Sequence, residues 1–473
     1  NWASNTLFVR NGLDKDGEPI NGTPGGKNSV SYEETIILSE RLTQLYGEFN
    51  EITIPTYGGT YVAQGSLTIP QEKTLKIVPG VTLAFNTGKQ LLVRGTLLAQ
   101  GEEESPILFT RAESSAWNGI RFFETSSNNS EISHAVVEGG LYKPDFSQLG
   151  AERMFNIGIE GSSPTIRNVS FTSGSTWRGA IFLYNSSSLI ENVEIRGANY
   201  SSSSTAGIFA IEGSPTIKNS TFYNNTIGIY VDGPLASSTI TENTFEKGLY
   251  PVYLNRSYAT VLENEVLDHT YHAIAVTGSI KDSAAVWESD NLPFLIISNF
   301  GVWEGATLSI APGSTVLFAN PSPHPILLGV YGTLKAEGTE ENLILFSDYS
   351  SWSGGSAKSW RYIQFYPSST GSVISHAVIQ NGGAIITGNA SYGLLYVQKS
   401  ELELLNVTLK NGKRYEMVIE SVAENAVFGS NVLIMHNENN SYEAINVIGE
   451  TCPVFTSLEI QGGSIFAQNS LCQ

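Results

Sequence analysis

Cysteine is almost absent: the chain holds two, Cys452 and Cys472, so at most one internal cross-link can be made. Methionine is nearly as scarce, with three residues in 473. Basic residues are also few. Lys and Arg total 26 against 45 Asp and Glu, for a formal charge of −19, and no basic cluster occurs. That balance argues against nucleic acid or an anionic membrane surface as partner. No run approaches the roughly 18 apolar residues of a membrane span. Residue 1 is Asn rather than Met, which fits a processed mature chain.

What is present is a repeat. Five rows can be laid beneath one another: SPTIRNVSF (163–171), SSLIENVEI (187–195), SPTIKNSTF (214–222), SSTITENTF (237–245) and YATVLENEV (258–266). Each row carries an apolar pair five residues apart: Ile166/Phe171, Ile190/Ile195, Ile217/Phe222, Ile240/Phe245 and Val261/Val266. The first members are spaced 24, 27, 23 and 21 residues apart. Short β-type runs at that period indicate a solenoid with one coil per repeat. Such a fold also escapes the usual limit on domain size, because its core grows with length.

The offset of five is informative. Side chains on a strand alternate, so two inward residues should lie an even number apart. An odd offset needs one residue that turns the chain, and these rows place Asn nearby: Asn168, Asn192 and Asn219 two positions after the first apolar residue, Asn243 and Asn264 three after it. Asn tolerates left-handed backbone and, stacked coil on coil, can bond the amide above and below. Second runs such as GAIFL (179–183) and GIYV (228–231) supply another face. The fold expected is all-β, a right-handed parallel β-helix.

A second pattern begins near Tyr61 and recurs. Pro79-Gly80 answers Pro312-Gly313, Gly95-Thr96-Leu97 answers Gly332-Thr333-Leu334, and Trp117 answers Trp360, at offsets from 233 to 243 residues. His134 and His376 match in the same way. The chain is internally duplicated. The order of these motifs over residues 60–440 resembles the secreted right-handed β-helix proteins of the pectate-lyase-like superfamily. That resemblance implies a fold and leaves activity open, since lyases, hydrolases, adhesins and structural proteins share it. Residues 1–59 read as an N-terminal cap, with a strand at 6–10 suited to assembly and a short amphipathic helix over 31–47 capped by Ser31. Residues 60–284 form the first β-helix segment, 285–440 the second and continuous with it, and 441–473 the final coils.

The cysteines are twenty residues apart, about one coil. Adjacent coils lie about 4.8 Å apart, which suits a disulfide with its Cα atoms about 4.4–6.8 Å apart. A Cys452–Cys472 bond would pin the last coil and implies an oxidising compartment. Of the many N-x-S/T sequons, those at coil tips are the expected glycan acceptors: Asn185, Asn199, Asn224 and Asn255, then Asn128, Asn389 and Asn439. Asn168, Asn219 and Asn406 are expected at inward corners with no room for a glycan.

Candidate chemistry is sparse. His134 and His376 take the corner slot that Asn168, Asn192 and Asn219 take, so they are expected as members of the side-chain ladder, together with Asn243, Asn264 and Asn406. His269 and His272 lie beside Asp268 at a coil tip and read as a solvated turn. Enzymes of the resembled superfamily align acidic residues across successive coils, often with Lys or Arg. The outward slots here hold Arg167, Glu191, Lys218, Glu242 and Glu263, and neither paired Asp-Asp nor Gly-His-Gly occurs. Asp14–Glu18 opens like a calcium loop but lacks the later Glu. No catalytic residue, metal or cofactor is expected. Three roles stay open: a secreted or cell-surface structural protein, adhesive or self-assembling through its ends or its N-terminal strand; a polysaccharide lyase or glycoside hydrolase; and a glycan-binding module that stacks sugars on aromatics. The first is the favoured expectation.

Overall fold

The computed structural model describes residues 60–467, apart from 145–153, 173–178, 198–204, 234–235, 282–283, 320–324, 385–392, 422–426, 438–441 and 450–452, and the short strands 12–13, 19–20, 37–38, 43–48 and 51–54. It is an all-β parallel solenoid of about 13 turns, right-handed, with about 1% helix. The chain divides into two compact units. One comprises residues 1–231, 237–251 and 264–271, the other 232–236, 252–263 and 272–473.

In the first unit, vertical columns of apolar side chains make the core. Leu67, Leu91, Ile120, Ile157, Ile181 and Ile208 lie on successive coils in parallel register, and all are fully buried. A second column runs Ile132, Ile166, Ile190, Ile217 and Ile240. The paired apolar positions of the sequence rows point inward, and only Val266 is half-buried. Each coil satisfies the backbone groups of the next, so the columns grow without exposing unpaired donors.

The corner between the pair has a regular construction. Asn168, Asn192 and Asn219 have φ of 52°, 50° and 52°. The left-handed residue swings its side chain outward and hands the inward slot to its successor: Val169, Val193 and Ser220 are buried. Asn219 and Asn406 are therefore exposed and Asn168 half-buried, not inward as expected. In the next two rows the left-handed positions belong to Glu242 and Glu263, both at φ 56°. Asn243 and Asn264 stand one residue later and are buried. They are not corner residues but an internal polar column. Asn243 donates from N and Nδ2 to Asn264 Oδ1, each at 3.0 Å, and Ser220 N donates to Asn243 Oδ1 at 3.0 Å. Their amides also donate to Ile217 and Ile240 carbonyls, so burial leaves these groups bonded.

The duplication extends to side-chain detail. Trp117 stacks on Phe85 at 4.5 Å and donates to the Glu138 carbonyl. Trp360 stacks on Phe318 at 4.0 Å and donates to the Gln380 carbonyl. Ser130 and Ser372 hydroxyls accept from Leu97 N and Leu334 N, both at 3.1 Å. An outer layer covers one face of the first unit. Tyr142 and Phe155 pack over Phe182 and Phe209, which occupy outward slots yet are buried.

The expected helix over 31–47 is not borne out where its residues are described. Residues 37–38 and 43–48 are strands, and Thr43–Glu48 pairs in parallel with Tyr61–Thr68 as the first rung. Edge pairing with a preformed coil outweighs a modest helical preference. Residues 37–38 instead join 12–13 and 19–20 in a small antiparallel sheet. The strand expected at 6–10 lies outside the described residues.

Matched glycines sit where coils approach most closely. A Cβ on Gly95 would lie 2.2 Å from the Lys73 and Pro70 carbonyl oxygens, and one on Gly332 would lie 2.2 Å from that of Trp303. Gly95→Ala and Gly332→Ala are each expected to cost at least about 2 kcal/mol, measured as a lowered denaturant midpoint. Costs under about 0.5 kcal/mol would contradict this packing.

Candidate functional site

An open groove of about 550 Å³ runs along the left-handed corners of the first unit. Its walls include Glu102, Glu103, His134, Asn168, Asn192 and Glu194. Corner geometry sets the floor. His134 (φ 46°) heads a ladder in which Asn168 Nδ2 bonds His134 Nε2 at 3.2 Å and Asn192 Nδ2 donates to Asn168 Oδ1. The second unit repeats it. Asn406 Nδ2 bonds His376 Nε2 at 2.8 Å, and Asn431 Nδ2 donates to Asn406 Oδ1 at 2.7 Å. Asn431 was not expected from sequence. It follows Asn406 by one coil, but its row has Gly429 in the apolar slot, where the Phe455 ring fills the space.

Charged side chains beside the groove pair from coil to coil. Arg167 binds Glu131 at 2.7 Å and Lys218 binds Glu191 at 2.8 Å. Burial alone would raise the Glu131 carboxyl, but hydrogen bonds from Gln100, Ser133 and Arg167, with the Arg167 charge, hold it below its ordinary range. Glu191 raises Lys218 through a hydrogen bond and its charge. Glu194 is held by Arg196. Glu102 and Glu103 are exposed on a turn at the groove's edge. The described lining thus offers amides and hydroxyls to a polar chain, while His134 Nε2 is bonded within the ladder.

In the second unit Glu416 and His436 form a buried pair. His436 Nδ1 lies 2.5 Å from Glu416 Oε2, and Gly412 N donates to Glu416 Oε1 at 3.1 Å. His436 Nε2 is buried without a partner. Burial raises the Glu416 carboxyl despite the opposing pull of His436 and Gly412. The pair is invisible in the sequence because stacking alone joins residues one coil apart.

The other expected sites are dispersed. Asn128, Asn185 and Asn224 are exposed and Asn255 is half-buried. Asn199, Asn389, Asn439, Cys452 and Cys472 lie outside the described residues, as does the 14–18 loop. His269 is buried and its Nδ1 lies 3.1 Å from the Leu267 carbonyl. Among the described residues no cluster of three metal-ligating side chains occurs.

Residues 155–285 match the family model described as "Right handed beta helix region". The chain is a right-handed β-helix protein. No curated protein matches this β-helix protein in sequence. Solved structures similar to it include the catalytic domain of a GH87 alpha-1,3-glucanase, at 11% identity over 97% of this chain and 69% of that one, TM-score 0.20. The surface protein and adhesin PfbA of Streptococcus pneumoniae is 12% identical over 89% and 92%, TM-score 0.23. The A-module of the Azotobacter vinelandii mannuronan C-5 epimerase AlgE4 is 12% identical over 86% and 89%, TM-score 0.18. Superpositions this loose carry no argument about what the β-helix protein does.

Two tests follow from this geometry. At Asn168, Ala loses the ladder bond and also strains the left-handed corner, whereas Gly loses only the bond. Asn168→Ala is expected to be less stable than Asn168→Gly by about 1 kcal/mol in chemical denaturation, and equal losses would deny the corner. For Glu416, a carboxyl raised by folding stabilises the fold fully below its unfolded value of 4.5. That contribution is lost as pH rises through the folded value. The stability of Glu416→Gln relative to the parent is therefore expected to improve from acid toward neutral pH. A flat or opposite trend would show the carboxyl ionised inside.

Proposed function

We propose that this β-helix protein is a non-catalytic structural element of the cell exterior, a scaffold whose surface is built for rigidity. The observation carrying this reading is that polar side chains on its outward columns close on one another between coils. The ladders His134–Asn168–Asn192 and His376–Asn406–Asn431 and the pairs Arg167–Glu131, Lys218–Glu191 and Arg256–Asp232 are examples. A general acid or base must exchange its proton with a substrate, and groups committed to the neighbouring coil are poorly placed to do so. An exterior location is supported by two cysteines twenty residues apart in the sequence and by exposed sequon asparagines at 128, 185 and 224.

Aromatic geometry weighs against a sugar-stacking platform. Trp303, Tyr331 and Tyr366 form an outer column in which Trp303 and Tyr331 lie 5.2 Å apart and Tyr331 and Tyr366 3.9 Å apart, with nearly parallel rings. Lys281 sits 4.8 Å over Trp303. Tyr331 thus stacks against a ring on either side, and Trp303 carries both a ring and the Lys281 ammonium, which leaves less aromatic face for a sugar. The groove beside Glu102, Glu103 and His134 favours one alternative, the binding or cleavage of a polar glycan.

Incubation with a panel of neutral and acidic polysaccharides is expected to release no new reducing ends or unsaturated products. Turnover that disappears in Glu102→Gln or His134→Ala would replace the scaffold reading with an enzymatic one.

A further inference from the structure

We propose that Trp352 and the polar turn beside it form a subsite for one ring of a neutral sugar chain. All of its residues belong to the second unit. The site needs no catalysis, so it stands whether or not the scaffold role is correct.

The internal duplication isolates the loop that carries it. Arg111 pairs in register with Phe85 and Asp348 with Phe318, and each copy then runs on to its matched tryptophan, Trp117 or Trp360. The first copy crosses that gap with 112–116, five residues, and the second with 349–359, eleven. The longer crossing is firmly braced. Asp348 is fully buried, and its side chain accepts from Ser351 N at 2.9 Å, from Lys358 N at 3.0 Å and from the Ser351 hydroxyl. Asn381 Nδ2 donates to Ser351 Oγ at 3.1 Å, and Gly355 N donates to the Ser350 carbonyl at 2.8 Å. One side chain thus holds both ends of the added segment. A loop ordered in advance loses little entropy when it binds.

The braced loop displays Trp352, which is 42% exposed. Its ring neighbour among the described residues is Tyr349, 6.0 Å away and tilted by 36°. Unlike Trp303, it carries neither a stacked ring nor an ammonium. With Ser289, Asp290, Asn291 and Thr315 it lines an open cavity of about 70 Å³. Enclosed ligand sites run to about 300–1,000 Å³, so this one takes the edge of a ligand and leaves the rest outside. Asp290 is exposed and accepts Glu263 N at Oδ2, 2.9 Å away. Its Oδ1 has no bonded donor among the described residues.

An indole face beside a carboxylate oxygen, an amide and two hydroxyls matches a ligand with one apolar face and a rim of hydroxyls. A pyranose ring has that form. Charge narrows the choice. Asp290 is the one ionisable side chain in the described lining, and the chain carries −19, so uronate and sulfated chains are repelled. A lone ring is also not the aromatic cage that a quaternary ammonium requires.

The test is electrophoresis of the intact chain through native gels containing dextran, hydroxyethylcellulose, galactomannan or polygalacturonate. At least one neutral polymer is expected to retard it, and polygalacturonate is not. Trp352→Ala is expected to raise the apparent dissociation constant at least about tenfold with unchanged circular dichroism, and Trp352→Tyr to restore most of the binding. Trp303→Ala is the control, since it removes a ring that is 45% exposed elsewhere, and it should bind as the parent does. Passage unretarded by every neutral polymer overturns the proposal, as does retardation indifferent to Trp352→Ala or equally lost in Trp303→Ala. Stronger retardation by polygalacturonate, displacement by added choline, or Trp352→Tyr as weak as Trp352→Ala would overturn it too.

Discussion

The fold depends on register between neighbouring coils. Parallel backbone pairing places like positions directly over one another, and every other regularity follows from that constraint. Leu67 leads through Leu91 and Ile120 to Ile208 because a slip of one residue would turn an entire strand's apolar set outward. The same alignment brings Asn168 over His134 and Lys218 beside Glu191. Core and surface are thus ordered by a single operation, repeated coil after coil.

That operation explains what could be read in advance. Inward slots must be apolar, so the rows holding Ile166, Ile190, Ile217 and Ile240 announce themselves. Their odd spacing also requires a left-handed residue between the paired positions. The identity of that residue is less legible. Glu242 and Glu263 take the left-handed backbone although an Asn follows each, because the amides of Asn243 and Asn264 gain more by bonding inside than at the corner. Sequence periodicity records which slots exist, and competition between adjacent polar residues decides who fills them.

Other features depended on contacts that no local pattern carries. Asn431 was hidden by Gly429, an apparent break in the apolar pattern that is filled from the following coil by Phe455. Glu416 and His436 meet only when their coils stack. At the N-terminus, residues 43–48 have an amphipathic look, yet they lie along an existing strand edge and pair with it. In each case the missing information lay in the neighbouring coil. The polar groove was foreshadowed by its histidine and asparagines, but its acidic rim at Glu102 and Glu103 belongs to a turn outside the repeat.

The second layer over one face of the first unit alters how water reaches the backbone there. Tyr142 lies against Gly158, where any Cβ would fall 2.0 Å from its ring, and together with Phe155 it roofs Phe182 and Phe209. The strands at 157–160 and 181–184 are consequently shielded from both sides, by the core within and by aromatic rings without. Solvent isotope can enter their amides only after the roof lifts or the stack itself parts, which would make this the slowest-labelling stretch of the wall.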